Sequence, residues 1–530
     1  MPRWPERITA EHLATMPECL PFGDILYLSK MISSSKEMRL AKSILLRQPK
    51  ILNQLPAFVR ESAKRSSPYG LLTALRFEFE HACDIDYRNG KIIEPEWSKN
   101  LPDFLKADLR ANLAICDLPQ DIEFIVPNIP HAGLGYIILE DGLVSNVGLA
   151  IGLWRLQGIA QLANLTDPVV NELEIGSWSR RFEHTRFCHS LDTYVIMALI
   201  LHNNRNVLND SLILNGKVAA LLHDLATPAG GDGTKPIDPQ AFSEEKNIER
   251  FLTGKKWLAI CERHGLDTEM IISAIQGKGI LGKILDVADR IAYVARDVRI
   301  YLGRYFPKST LPWPISYETI RLFAESKPEF CTVWDCVKIS DEEVVFTDPA
   351  RLADFLLGRV YMCKNLYYNS HARSFETILA NTVLRYMYRQ GIVKWEDFYR
   401  NEDYYLDRII EDFIGRRYAM NNAFAIGEPY AETFSSLEEA VKRKKQLLEE
   451  GIIFSVMEDA RSKIKTATEY LVLQNGKIMP FFEASPKEAA KIQQVAVIEK
   501  PFYLFYLKDM DIKPEAEKAL REFYLNEHTK

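Results

Sequence analysis

The sequence predicts a mainly α-helical fold with a small β element, and three observations lead there. Apolar residues recur at helical spacing, with few internal breakers, over residues 35–65, 186–203, 211–226, 268–302, 352–390 and 434–473. Strand patterns are few and short. The 530 residues exceed what one compact core organises, so several lobes are expected: a helical core and a helical C-terminal lobe carrying a small sheet.

Taken in order, residues 1–150 form an N-terminal segment of unassigned role. Near its end LGYIILEDGLVSNV (134–147) reads as a short hairpin turning at Asp141-Gly142. Residues 151–306 hold the densest helical pattern, interrupted after residue 226 by the Gly-, Pro- and Asp-rich run TPAGGDGTKPIDP. The run PKSTLPWP (307–314) marks a boundary, and residues 307–530 form the C-terminal lobe, where KIMPFFEA (477–484) and QVAVIEKPFYLFYL (494–507) read as strands. No internal repeat or coiled-coil heptad is visible.

Composition narrows the class. Lys and Arg number 66 against 72 Asp and Glu, a net charge of −6, which disfavours a chain devoted to coating nucleic acid without excluding a basic pocket for phosphates. The Lys-rich stretch VKRKKQLLEE is balanced by neighbouring Glu and reads as a solvated helix face. Eight cysteines are scattered with no CxxC pair, which fits reduced thiols in a cytoplasmic protein better than a disulfide framework or a zinc knuckle. The N-terminal MPRWPERITAEHL lacks the apolar run of a signal peptide, and the longest apolar stretches fall far short of the ~20 residues that span a bilayer. No membrane partner is expected.

The chemistry concentrates in the middle third. In HTRFCHSLDTYVIMALIL, His189 lies off the apolar stripe of Phe187, Leu191, Tyr194, Val195, Ala198 and Leu199; alone it reads as a surface or hydrogen-bonded histidine. In VAALLHDLATP, five apolar residues run straight into His223-Asp224, placing an imidazole and a carboxylate at the end of a buried helix. Such a charge needs compensation, either an arginine or cap, or a divalent cation bound by carboxylate and neutral imidazole. In ILDVADRIAYVARDVRIYL, Asp286, Asp289, Tyr293 and Asp297 fall at i, i+3, i+7 and i+11, within an arc of about 80° at ~100° per residue. Arg290 and Arg296 are candidate partners for these acids; a metal with a polar substrate accounts for the tyrosine as well.

The order His189 … His223-Asp224 … Asp289, with the flanks LWRLQGIAQL (153–162), HTRFCHSL (184–191), LLHDL (221–225), DRIAYVARD (289–297) and RVYMCKNLYYNSHARSFETIL (359–379), resembles the HD-domain metal-dependent phosphohydrolases, in particular their deoxynucleoside triphosphate triphosphohydrolase branch. The similarity covers roughly residues 150–410. It implies a helical HD-domain core in which His189, His223, Asp224 and Asp289 hold one divalent metal ion, whether Mn, Fe, Co, Ni, Zn or Mg. It further implies that Arg186 grips substrate phosphate, that Gln161 and Leu162 meet the sugar, and that Tyr293 and Asp297 pack on and hydrogen-bond it. Arg359 and Tyr367 would serve the phosphate and sugar regions. The implied activity is hydrolysis of a deoxynucleoside triphosphate to deoxynucleoside and triphosphate. Homo-oligomers are common in that family.

Two departures bear on this. Where the branch commonly continues G-H-x-P-F-x-H after the HD pair, this chain reads Ala226-Thr227-Pro228-Ala229-Gly230-Gly231-Asp232. Thr227 and Asp232 thus replace two histidines, and neither substitutes for an imidazole as general acid at neutral pH. That leaves His184 as a candidate proton donor beside Asp224 in the catalytic role. Gln157 stands where regulated members carry an arginine for an activating nucleotide. Alternatives follow: a phosphohydrolase of a nucleoside monophosphate, cyclic nucleotide or oligonucleotide, or a non-catalytic nucleotide sensor.

Overall fold

A computed structural model describes residue 9 and residues 39–66, 68–86, 91–113, 124–126, 137–139, 142–161, 185–298, 316–327, 329–368, 370–415, 426–427, 429–461 and 464–528. The fold is mainly helical with small sheets, as predicted. Three helices form its centre: α1 (Arg186–Asn203), α2 (Asp210–Leu222) and α3 (Gly279–Asp297).

α1 starts where the Thr185 hydroxyl accepts a hydrogen bond from the Cys188 amide at 3.2 Å, and α2 where Asn209 does the same for Leu212 at 2.8 Å. α1 is buried on nearly every side, as its apolar run from Tyr194 to Leu201 requires. α3 lies along both helices and follows a sharp break, because Gly277 and Gly279 take left-handed backbone conformations and separate it from Thr268–Ile275. The expected single helix over 268–302 is therefore two. Arg296 near the end of α3 pairs with Asp192 on α1, Nη2 to Oδ1 at 2.6 Å and Nε to Oδ2, both residues buried.

α4 (Pro349–Met362) begins at Asp348, whose carboxylate accepts from the amides of Ala350 and Arg351. It runs on through a π-helical turn, Cys363–Tyr367, and then Ser370–Leu379, so residues 352–390 are helical in pieces. α5 (Asp403–Ile414) packs on the N-terminal helix Ala57–Arg65. The long helix expected over 35–65 is broken into residues 39–47, Pro49–Leu52 and Ala57–Arg65 by Pro49 and Pro56.

Other expectations are corrected. The 134–147 hairpin does not form with its turn at Asp141-Gly142: Ile137–Leu139 pairs with Phe124–Val126, and after Gly142 the chain winds helically through Val144–Gly148 and Leu149–Ile151. Leu143 and Val147 are both buried, so a helical period of four outweighs the Asp-Gly turn signal. The helix expected over 434–473 spans only Leu437–Glu449 and ends before Gly451 in a left-handed conformation; strands Ser455–Asp459 and Leu471–Gln474 follow. KIMPFFEA is half strand, Lys477–Pro480, and half helix, Phe481–Ala484. In QVAVIEKPFYLFYL only Phe502–Leu507 is strand, while Pro486–Ala496 is helix. The Pro307–Pro314 boundary lies outside the described residues.

Two sheets serve the C-terminal half. One has the order Lys477–Pro480, Leu471–Gln474, Glu343–Phe346, Val337–Ser340, antiparallel except where Val345 and Phe346 run parallel to Leu471 and Val472. The other places Phe502–Leu507 between Pro429–Phe434 and Ser455–Asp459, with Leu504 opposite both Glu432 and Met457. All six residues of that central strand are buried, which explains its unbroken apolar sequence. Among the described residues no helix is long and apolar enough to cross a membrane.

Candidate metal centre

Helical geometry brings the histidines and Asp289 together. His189 lies one turn into α1, His223 caps the end of α2, and Asp289 lies midway along α3. Their ligand atoms lie within 4.8 Å of one another. His189 Nε2 is 2.8 Å from Asp289 Oδ1 and 3.2 Å from His223 Nε2, and His223 Nε2 is 3.6 Å from the same carboxylate oxygen. The Asp224 carboxylate is 3.8 Å from each imidazole and turns toward Arg186 instead, with Oδ2 3.2 Å from Nη1. Asp224 is therefore beside the triad and outside its closest cluster.

The donor set fits a cation. His223 Nδ1 lies 2.8 Å from the Ala220 carbonyl, which can only accept, so Nδ1 carries the proton and Nε2 turns a lone pair inward. His189 Nε2 faces the same space, and its buried Nδ1 has no hydrogen-bond partner. Two imidazole nitrogens and a carboxylate oxygen this close need a proton or a metal between them. Without metal, burial disfavours the charged imidazole, but Asp224 and Asp289 outweigh it and push His223 up to about 9. For Asp289 burial works upward, yet hydrogen bonds from both histidines hold its carboxyl well below the usual range. Nitrogen-rich mixed ligation suits the borderline metals Mn, Fe, Co, Ni and Zn better than Mg.

The triad forms part of the wall of a 730 Å³ cavity, which every described candidate residue lines. Arg186 is buried; Nη1 pairs with Asp224, and Nη2 with Asp232 at 2.7 Å. Gln161 is buried with Oε1 lacking a hydrogen-bond partner. On the opposite wall Tyr293 accepts from Arg359 Nε at 2.8 Å, and Tyr367 donates to Asp297 Oδ2 at 2.6 Å. Tyr293 and Tyr367 meet edge to face, centroids 5.9 Å apart. Tyr367 owes its place to the π-helical turn after α4, which resets the helix face there. Leu162 and His184 lie outside the described residues.

The whole stripe Asp286, Asp289, Tyr293 and Asp297 faces this cavity. Of the two candidate partner arginines, Arg290 pairs with Asp286 at 2.6 Å and also donates to Tyr470, whereas Arg296 is taken by Asp192.

Several residues of the site carried no sequence signal. Lys235 bridges Asp232 at 2.7 Å and Glu244 at 3.2 Å. Asp403, wholly buried at the start of α5, accepts from the Gly230 amide at 2.7 Å and the Ala160 amide at 3.0 Å, tying two rims of the cavity together. Gly230 and Gly231 both take left-handed conformations, which is why that loop needs glycine. Arg155, also buried, donates to the carbonyls of Leu225, Thr227 and Asn401.

No family model matches the chain, and no curated protein matches it. Among solved structures, it is similar to a phosphohydrolase from Bacteroides thetaiotaomicron VPI-5482, with a TM-score of 0.50 at 15% identity, covering 73% of this chain and 100% of that one. A hypothetical protein from Aquifex aeolicus aligns with a TM-score of 0.47 at 20% identity, over 72% of this chain and 94% of that one. The first similarity shows a shared fold.

Proposed function

We propose that this protein is a metal-dependent phosphohydrolase of nucleotides. The convergence of His189, His223 and Asp289 at the base of a cavity large enough for a nucleotide carries the reading. The fold shared with a solved phosphohydrolase supports it.

His189, His223 and Asp289 would hold the ion, with Asp224 close enough to complete the set. When bound, a divalent ion acidifies water and polarises the phosphoryl group. Asp224 accepts the proton that the attacking water sheds, while Arg186 keeps that carboxylate ionised. Arg359 holds a phosphate oxygen, and Tyr293, Tyr367 and Asp297 receive the sugar. A water oxygen bonds to phosphorus as the ester P–O bond breaks. One hydrogen of that water ends on the leaving oxygen and the other on the phosphate product.

The family resemblance puts a deoxynucleoside triphosphate first. A second reading, hydrolysis of another nucleotide phosphoester, is favoured by the loop after the HD pair. Thr227 spends its hydroxyl on Glu244 at 3.1 Å and Asp232 is paired with two cations, so neither offers a proton to a leaving group. The six described cysteines are all free, which supports the cytoplasmic setting that belongs to this proposal.

The test is metal analysis of the purified protein together with turnover of deoxynucleoside tri- and monophosphates with added Mn. Bound metal with product release supports the reading; bound metal without release from any phosphoester would make the cavity a nucleotide sensor.

A further inference from the structure

We propose that Asp232 determines specificity by limiting this cavity to substrates with a single phosphate group, a phosphomonoester or phosphodiester, and disfavouring polyphosphate chains. The inference rests on the phosphohydrolase reading above and deepens it.

The cavity is short of free positive charge. Seven carboxylates line it against four cationic side chains. Three of those four already face carboxylates: Arg186 faces Asp224 and Asp232, Lys235 faces Asp232 and Glu244, and Arg373 faces Glu458 at 3.0 Å. Arg359 differs. Its hydrogen bonds among the described residues run to the Tyr293 hydroxyl and the Lys465 carbonyl, both neutral, although the side chain is buried. An anion is what such a guanidinium lacks.

One divalent ion and Arg359 balance the one or two negative charges of a single phosphate. A nucleoside triphosphate brings about four, and its extra charges need Arg186 and Lys235. Asp232 holds both at 2.7 Å, and its side chain is 55% exposed at the cavity wall, where a phosphate chain would meet it. Like charges at close range in a partly enclosed cavity repel strongly. Where a histidine would carry a proton or no charge, Asp232 contributes a fixed negative one.

The test compares the full-length, manganese-loaded protein with its Asp232→Asn and Asp232→Glu variants. One readout is kcat/KM for a deoxynucleoside monophosphate against the matching triphosphate. The other is calorimetric binding of inorganic phosphate against tripolyphosphate, with retained manganese verified after each titration. The wild type should favour the monophosphate at least tenfold. Asp232→Asn should cut that preference at least tenfold and tighten tripolyphosphate binding at least tenfold, with phosphate binding changed less than threefold. Asp232→Glu should keep wild-type values. A wild type that prefers the triphosphate, or an Asp232→Asn protein with unchanged preference and unchanged tripolyphosphate affinity, overturns the proposal. If neither nucleotide is turned over but Asp232→Asn tightens tripolyphosphate alone, the charge assignment stands and the hydrolase reading fails.

Discussion

Arg296 and Asp192 form a buried ion pair that fixes α3 against α1 beside the candidate metal centre. Asp192 follows His189 by three residues and Arg296 follows Asp289 by seven, so each charged partner shares a helix face with one residue of the metal cluster. The ion pair thereby sets the separation of His189 and Asp289, found at 2.8 Å.

Replacing Arg296 with Met should destabilise the protein by about 3–5 kcal/mol, because Asp192 is left buried with its charge unpaired. Chemical denaturation should show the loss, and metal retention should fall with it. A variant unfolding within 1 kcal/mol of wild type would show that the pair does not lock these helices.

His223→Ala should leave the fold intact while bound metal and turnover disappear together. Circular dichroism checks the first, and elemental analysis with a phosphate-release assay checks the second. Only an Nε2 lone pair and one hydrogen bond to Ala220 are lost, so folding is affected far less than coordination. Full turnover by this variant would refute the site.

Asp403→Asn should loosen the loop that carries Asp232. One of the two oxygens that accept from Ala160 and Gly230 becomes a donor facing a donor, a loss of about 1–3 kcal/mol. Hydrogen exchange should lose protection at Ala160 and Gly230–Thr234, with α1 unchanged. Unaltered protection there would mean that the loop is held by other contacts.

Cys83 should resist alkylation until strongly alkaline pH. Burial first, then the neighbouring Glu94 and Glu80, push its thiol up to about 11. Burial and negative neighbours both disfavour the thiolate, so reactivity rises with pH only as that value is approached. Labelling by iodoacetamide at pH 8.5, followed residue by residue with mass spectrometry, should be roughly 100-fold slower at Cys83 than at an unperturbed cysteine. Rapid labelling at that pH would contradict the environment described.

Much of the central architecture was legible because its signals are local and periodic. The apolar surround of α1, the abrupt end of α2 at His223 and the acid-and-tyrosine stripe of α3 each follow from one helix's own sequence. The cavity's charge balance was not legible in that way. Lys235 lies in a loop without periodicity, and Asp403 reaches Ala160 and Gly230 from far along the chain. The C-terminal half misled for a related reason. Leu471–Gln474 becomes a strand because Glu343–Phe346 offers it an edge, a long-range pairing that no window of residues contains. Arg155 is a further case, since its three carbonyl partners come from loops separated by well over a hundred residues.

The strand Phe502–Leu507 has a consequence for the order in which the molecule matures. Tyr503 donates to the Tyr368 carbonyl at 3.1 Å, next to Tyr367, while Lys465 and Tyr470 steady Arg359 and Arg290. The far wall of the cavity is thus braced by residues that leave the ribosome last. α1, α2 and α3 emerge much earlier, so the metal triad can assemble on a nascent chain well before a nucleotide can be gripped.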